Sequence, residues 1–124
     1  MHVLIIENKR DVTSSLNTFL QDKGHVVDRV GSDISNRQIA QAVKYDVIVI
    51  GVTSPKADGI GLYSRLRAGG CRDNPILMIL VPDEPDDGSS WGLRVDEIGL
   101  QIESMKSRKK SAGRGIVQLV RALQ

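Results

Sequence analysis

The chain has 124 residues, a length that suits one domain with its own core and is too short for two ordinary domains. Hydrophobic residues make up 40% of it and charged residues 26%, which excludes a disordered or fibrous chain, and with aromatics at 3% aliphatic side chains must fill the core. No apolar run approaches the roughly 20 residues that cross a bilayer, and the first residues lack the pattern of a secretory signal. Since the single Cys71 cannot form an internal disulfide, a reducing cytoplasm is the expected location.

The formal net charge of +2 is unevenly distributed along the chain. Residues 101–124 hold six Lys or Arg against the single Glu103, so the rest of the chain is net acidic. Such an asymmetry marks either a solvated loop or a surface that contacts a partner or a nucleic acid. The densest part of this region is a short basic stretch formed by Lys106, Arg108, Lys109 and Lys110.

The first half of the chain alternates buried strands with amphipathic helices. The continuous β-branched run Val3–Ile6 predicts a strand that is covered on both faces, as in a parallel sheet. Apolar residues at helical spacing predict a first helix over residues 11–23. A short second strand begins at Val26, a weaker helical stripe ends near Lys44, and Val47–Ile50 is the clearest strand of all.

The second half continues this alternation less regularly. A short helix is predicted over residues 60–66, followed by a buried strand over Ile76–Val81. The next segment, Pro82–Gly92, carries two prolines and four acids, so a loop with at most a turn or two of helix is expected there. The pattern then predicts a fifth strand over Ile98–Glu103 and a closing amphipathic helix over residues 116–123.

This order of elements predicts an α/β fold over residues 1–124 with no linker. Parallel strands need long crossovers that are usually helical, so a doubly wound sheet of five parallel strands with helices on both faces is expected, and the layout is similar to flavodoxin-like folds with strand order 2-1-3-4-5. Ligand sites in such folds lie at the carboxyl ends of the strands. The informative residues are therefore Glu7 and Asn8 after strand one, Gly51 after strand three, Leu80 in strand four and the region around Gln101 after strand five.

Residues 1 to about 81 carry a family resemblance at the strand ends and in one loop. Leu4–Asn8 is similar to the first strand and acidic pair of bacterial response-regulator receiver domains, and Tyr45–Gly51 is similar to their third strand. Pro55 and the Asp58-Gly59 pair fall four, seven and eight residues after the family's phospho-acceptor position, which is the family's spacing. Beyond residue 81 the resemblance is loose.

The resemblance implies a phosphorylation pocket whose reacting groups are missing. The acceptor aspartate is replaced by Gly51, and Asn8 replaces a metal-binding aspartate, so that Glu7 is the one remaining acid for Mg²⁺. The hydroxyl residue of the family aligns with Leu80, and the conserved lysine falls near Gln101, where no cation occurs. We therefore expect a vestigial pocket with no catalytic residue, no metal and no cofactor, in a protein that is not an enzyme.

Two features outside this pocket are candidate interface residues. Trp91 is the only tryptophan and lies where receivers carry their fourth helix, so it is either a core plug or an anchor for a partner. The basic stretch lies further along, between the predicted fifth strand and the closing helix. The resemblance implies that the face from the fourth to the fifth helix binds a protein partner or a second copy of the chain.

The sequence therefore favours a phosphorylation-independent receiver domain that acts in signal transduction and transcription regulation by dimerising or docking a partner. It is either the N-terminal regulatory part of a longer response regulator or a stand-alone adaptor. One alternative is a small-ligand binder that uses the space left at Gly51, although the strand ends offer no nucleophile with a base and no paired carboxylates. Another is nucleic-acid binding through the basic stretch, in the absence of interleaved aromatics or a known DNA-binding motif.

Overall fold

Strands and helices alternate along most of the chain. A computed structural model describes residues 1–7, 10–52, 59–80, 97–105 and 117–121. The strands are β1 His2–Ile6, β2 Val26–Val30, β3 Val47–Val52, β4 Ile76–Leu80 and β5 Val117–Arg121. The helices are α1 Arg10–Asp22, α2 Asn36–Gln41, α3 Ile60–Ala68 and α4 over residues 97–105, and a 3-10 turn, Ala42–Lys44, follows α2.

All five strands form one parallel sheet in the order β2-β1-β3-β4-β5. Ile6 lies opposite Val30 on one side and Ile50 on the other, and Gly51 lies opposite Ile79. The predicted fold class and the order 2-1-3-4 of the first four strands are therefore confirmed. The carboxyl ends of β1 and β3, where the candidate site was predicted, are neighbours at the same end of the sheet.

Alternating side chains of the strands build a separate apolar core on each face of the sheet. The α1–α4 face is formed by the two helices and the odd-numbered strand residues, with its buried members Val3, Ile5, Leu16, Leu20, Val47, Val49, Leu77, Ile79, Ile98, Ile102 and Met105. The α2–α3 face is formed by the even-numbered strand residues and the other helices, with its buried members Leu4, Ile6, Ile34, Ile39, Ala42, Ile48, Ile50, Leu62, Leu66, Cys71, Ile76 and Met78. Central strands covered on both faces explain why their sequences are continuously apolar.

Local signals fix several helix ends. At the start of α2, the Ser35 hydroxyl accepts from the Gln38 amide at 3.2 Å, while the Gln38 side chain accepts from the Ser35 amide at 2.8 Å, which is a complete capping box. After α1 the chain turns at Gly24, whose φ of 89° is a conformation that other residues rarely adopt. The predicted end of the first helix near residue 23 is confirmed, since α1 ends at Asp22.

The predicted fifth strand over Ile98–Glu103 is wrong, because these residues lie in α4. Residues 98, 100 and 102 alternate as a strand would, but residues 98, 102 and 105 also repeat as a helix would. The exposure of Leu100 distinguishes the two patterns: its side chain is 56% exposed, while Ile98, Ile102 and Met105 are buried on the α1–α4 face. The residues spaced as in a helix are therefore all buried, while the residues spaced as in a strand are not.

The predicted closing helix over residues 116–123 is also wrong, because Val117–Arg121 forms β5. A short apolar run fits a buried strand or a buried helix equally well. Pairing with β4 along its full length, from Ile76 opposite Val117 to Leu80 opposite Arg121, satisfies backbone groups that would otherwise form an open sheet edge.

The position of α4 differs from the usual arrangement. A right-handed connection between parallel strands would place the helix between β4 and β5 on the α2–α3 face. In this chain α4 packs on the α1–α4 face instead.

Several predictions fall outside the described residues. These include the irregular segment Pro82–Gly92 with Trp91, the basic stretch over residues 106–110, and Asn8, Pro55 and Asp58. Within the parts of the chain that are described, no helix is both long and apolar enough to cross a membrane.

Candidate functional site at the carboxyl ends of β1 and β3

The sheet register brings Glu7 and Gly51 together. Ile6 and Ile50 are direct partners in neighbouring parallel strands, so the next residue of each strand, Glu7 and Gly51, also lies side by side. The Glu7 backbone amide donates to the Val30 carbonyl at 3.0 Å, which fixes the chain directly after β1. The sequence predicted this neighbourhood from the strand ends alone.

The Glu7 side chain covers Gly51 closely. A Cβ atom added at residue 51 would lie 2.9 Å from Glu7 Oε2 and 3.1 Å from Glu7 Cβ. The Glu7 side chain itself is buried, with 3% of its surface exposed. The volume that a side chain at residue 51 would enter is therefore already filled by the carboxylate of the neighbouring strand.

The backbone does not by itself require glycine at residue 51. Among the residues that the structure describes, the glycines with positive φ are Gly24 and Gly70, and Gly51 has the extended conformation of a strand. Any residue can adopt such a conformation. What excludes a side chain at this position is the contact with Glu7.

Gly51 supplies no side chain to phosphoryl chemistry at this strand end. It has no side-chain oxygen that could attack phosphorus or coordinate a metal, and Mg²⁺ requires several oxygen ligands in a near-octahedral arrangement. In the described part of the chain, no three His, Cys, Asp or Glu side chains come together in a way that could hold a metal ion. Glu7 supplies a carboxylate at the end of β1.

The two remaining pocket predictions have different outcomes. Leu80 is the last residue of β4 and lies opposite Val52 of β3, as the alignment with strand four implied. The placement of Gln101 after strand five is wrong, because Gln101 belongs to α4. The residue that ends the fifth strand is Arg121, in register with Leu80.

Arg121 is the residue that sequence reasoning missed at this end of the sheet. The prediction that no cation occurs at the end of strand five depended on the wrong strand boundary. The two β-branched valines of the run Val117–Val120, directly before Arg121, were the signal that favoured a strand there.

A cavity of about 330 Å³ opens away from Gly51, over β2 and α2. Its walls come from Leu4, Asp28, Arg29, Val30, Ile34, Gln38, Gln41 and Tyr45. The alternative of a ligand site in the space left at Gly51 has no support from this cavity, because neither Glu7 nor Gly51 lines it.

Comparison with known proteins agrees with the fold and the position of the site. Residues 3–90 match the response regulator receiver domain, and this match spans well over half of the chain. The chain belongs to this family. It is a receiver domain of two-component signalling, as the resemblance over residues 1–81 implied.

Similar proteins include transcription regulators and a response regulator. The chain is 23% identical over 87 residues to the transcriptional regulatory protein DltR of Streptococcus agalactiae, covering 70% of this chain and 38% of DltR. It is 28% identical over 87 residues to the transcriptional activator protein IrlR of Burkholderia pseudomallei, covering 70% of this chain and 37% of IrlR. It is 28% identical to the response regulator MprA of Mycobacterium avium, covering 67% and 36% of the two chains. The chain thus matches less than half the length of each relative.

Solved receiver domains share the fold at low sequence identity. The receiver domain of the Francisella response regulator 1452 aligns with a TM-score of 0.59 at 20% identity, over 86% of this chain and 97% of that chain. The signal receiver domain of a modulated diguanylate cyclase from Desulfovibrio desulfuricans aligns with a TM-score of 0.59 at 23% identity, over 90% and 97% of the two chains. These likenesses establish the receiver fold.

Proposed function

We propose that this receiver domain regulates an output, in the control of transcription, without being phosphorylated on β3, and that it acts by protein contact and not by catalysis. The observation that carries the proposal is Gly51 at the carboxyl end of β3, covered by the buried carboxylate of Glu7. A phosphoryl group has no attachment point there. The named relatives, which are transcription regulators, support the output class. We place the protein in the cytoplasm, where a single unpaired cysteine is stable.

Loss of the phosphorylation chemistry is supported by three positions. The acceptor is Gly51, Asn8 stands at a metal-ligand position, and Leu80 stands where the family uses a hydroxyl. The fourth position is weaker support, because Arg121 ends β5 and supplies a cation. Because residue 51 cannot accept a phosphoryl group, a cation at the end of β5 has no phosphoryl group to pair with. The proposal therefore depends most on Gly51 and least on Arg121.

Intact-mass measurement after incubation with a small-molecule phosphodonor and Mg²⁺ tests this proposal. We expect no mass increase, while a phosphorylatable receiver in the same tube acquires one phosphoryl group. A second measurement compares the amide NMR spectrum before and after addition of Mg²⁺ with beryllofluoride, a mimic of the acyl phosphate. We expect the Gly51 and Leu80 amides to remain in place, and a saturable shift of both would contradict the proposal.

Protein contact is assigned to the segments on either side of α4. Trp91 lies in one of them and the basic stretch in the other, and tryptophan and arginine are enriched in protein interfaces. We propose that they form a surface for a second copy or a protein partner. Light scattering of the eluting protein across a concentration series measures self-association. We expect Trp91→Ala to weaken self-association at least tenfold. Equal self-association of the unaltered protein and the Trp91→Ala variant would show that Trp91 does not lie in the interface.

Contact with DNA is a separate outcome of the same set of variants. If the basic stretch contacts phosphates, the double variant Lys109→Glu, Lys110→Glu should lose binding to duplex DNA. The affinity of the unaltered protein for DNA should then fall steeply as the salt concentration rises. We expect no binding of duplex DNA by the unaltered protein, at low salt or at high salt. The match covers only 34–38% of each of the longer relatives, so most of each relative lies outside the matched residues.

A further inference from the structure

The acceptor position is closed from within the fold. Gly51 lies in a row of neighbouring strand residues on the α1–α4 face, with Glu7 on one side and the fully buried Ile79 on the other. Side chains at corresponding positions of parallel strands point to the same face. A side chain at residue 51 would therefore stand between those of Glu7 and Ile79.

We infer that the Glu7 side chain substitutes for the missing acceptor side chain and holds this position permanently closed. The inference rests on the proposed function and adds to it: the domain has not merely lost a reactive group but has filled its place with a carboxylate of its own chain. A domain closed in this way keeps one arrangement of the pocket whatever the phosphodonor supply.

The close approach is the physical reason for the inference. The added Cβ would lie 2.9 Å from Glu7 Oε2, closer than real Cβ atoms come, so this flexible end of the Glu7 side chain would have to shift. The second distance, 3.1 Å to Glu7 Cβ, involves an atom that is fixed to the backbone and cannot swing away. Glycine inside a strand is otherwise unfavourable, because it is flexible in the unfolded chain and contributes no side-chain packing.

Glu7 cannot move out of the way without consequence. Its side chain is 3% exposed, so a displaced carboxylate must either enter the apolar core or leave a cavity beside β1. Its backbone is held by the hydrogen bond to the Val30 carbonyl at 3.0 Å. Position 51 and position 7 must therefore be energetically coupled.

A double-mutant cycle on melting temperature tests this coupling. Gly51→Ala in the natural background should lower the melting temperature by on the order of 5 °C, because it overpacks a half-buried site against Glu7. The same change in a Glu7→Ala background should lower it by less than about 2 °C, because the carboxylate is then gone and only the contact with the Cβ of residue 7 remains. Glu7→Gln is the matched control: it has the size of Glu without the charge, so Gly51→Ala should remain as harmful as before.

A charge series separates the carboxylate from the volume it fills. Gly51→Asp should lower the melting temperature more than Gly51→Asn, since only aspartate sets a second negative charge against Glu7. That difference should disappear in the Glu7→Gln background. Should Glu7→Ala fail to fold, Glu7→Asp takes its place in the cycle, because it keeps the charge and removes one methylene group.

The inference is overturned if Gly51→Ala costs the same in the Glu7 and Glu7→Ala backgrounds, or if it is harmless in both. Either result would mean that Glu7 does not occupy this space. Neither result involves a phosphodonor, so failure here leaves the mass and NMR tests of the proposed function intact. Conversely, if the protein becomes phosphorylated and residues 7 and 51 are still strongly coupled in the double-mutant cycle, only the proposed function is contradicted.

Discussion

The two faces of the sheet are held together in different ways. On the α2–α3 face, polar side chains tie loops to the main chain: Arg67 Nη1 donates to the carbonyls of Cys71, Arg72 and Asn74 at 2.6, 3.0 and 2.7 Å. The buried Asn74 donates through Nδ2 to the Val43 and Tyr45 carbonyls at 3.2 and 2.8 Å. These bonds determine how the chain enters β3 and β4.

On the α1–α4 face the contacts are mainly apolar and close. Gly99 of α4 lies directly against the Phe19 ring of α1, where an added Cβ would come within 2.5 Å of two ring carbons. A polar contact also joins the turn after α1 to α4, with His25 Nε2 and Glu103 Oε2 2.8 Å apart and both side chains partly exposed. Packing against Phe19 adds to this contact in holding α4 in place.

The comparison teaches that sequence signals differ in how well they reveal each kind of contact. Hydrogen bonds from side chains to the backbone occur at local turns and caps, which short sequence motifs predict. The packing of α4 depends on whether the strand period or the helix period buries its apolar residues, and a short motif does not distinguish the two. Mutations on the two faces should therefore fail for different reasons.

The largest effect is expected at Asn74, on the α2–α3 face. Replacing the buried Asn74 by alanine removes the donor to two part-buried carbonyls, and we expect the free energy of unfolding to fall by about 2–3 kcal/mol. Chemical denaturation measures this change. The matched control is Asp73→Ala at the exposed neighbouring position, expected to change stability by less than about 0.5 kcal/mol, and equal effects of the two variants would contradict the role of the Asn74 bonds.

A pair of glycine substitutions tests the packing of α4. Gly99→Ala should lower the free energy of unfolding by about 1 kcal/mol, because overpacking against Phe19 exceeds the gain in helix propensity. Gly61→Ala in α3, where an added Cβ meets nothing within 4 Å, should instead raise it by about 0.5 kcal/mol. Phe19→Leu should relieve the first effect. Stabilisation by both alanines would show that α4 does not pack closely against α1.

The smallest effect is expected from Tyr45, at the edge of the α2–α3 face. Burial raises the pKa of Tyr45 to about 12, and the neighbouring Asp28 adds to the shift through a hydrogen bond of 2.6 Å and its negative charge. Because the native state favours the neutral phenol, its contribution is fully present below the ordinary value of 10.0 and is lost as pH rises through about 12.

The pH dependence of stability measures this contribution. The difference in unfolding free energy between the natural protein and Tyr45→Phe should shrink between about pH 10 and pH 12, and below that window it should be constant. Asp28→Asn should reduce the shrinkage, since it removes the charge that opposes ionisation. A constant difference across the whole range would show that the Tyr45 pKa is not raised by folding.

By itself, the sequence determined the sheet, its strand order up to β4 and the pairing of Glu7 with Gly51 as neighbouring strand ends. Continuous β-branched runs such as Val47–Ile50 have one good solution, a strand buried on both faces, and helices between such strands make parallel pairing the natural arrangement. The missing acceptor could also be read from the sequence, because the loss of a side chain is a fact of the sequence.

Only the tertiary structure decided the identity of α4 and β5, the face on which α4 packs and the closure of the acceptor position. Residues 98–103 satisfy the strand period and the helix period alike, so burial against α1 made the choice. The contact of Glu7 with Gly51 depends on a register that pairs residues 44 positions apart and on the side-chain direction that follows from it. Such long-range packing is settled when the whole core forms, since local sequence preferences are too weak to specify it.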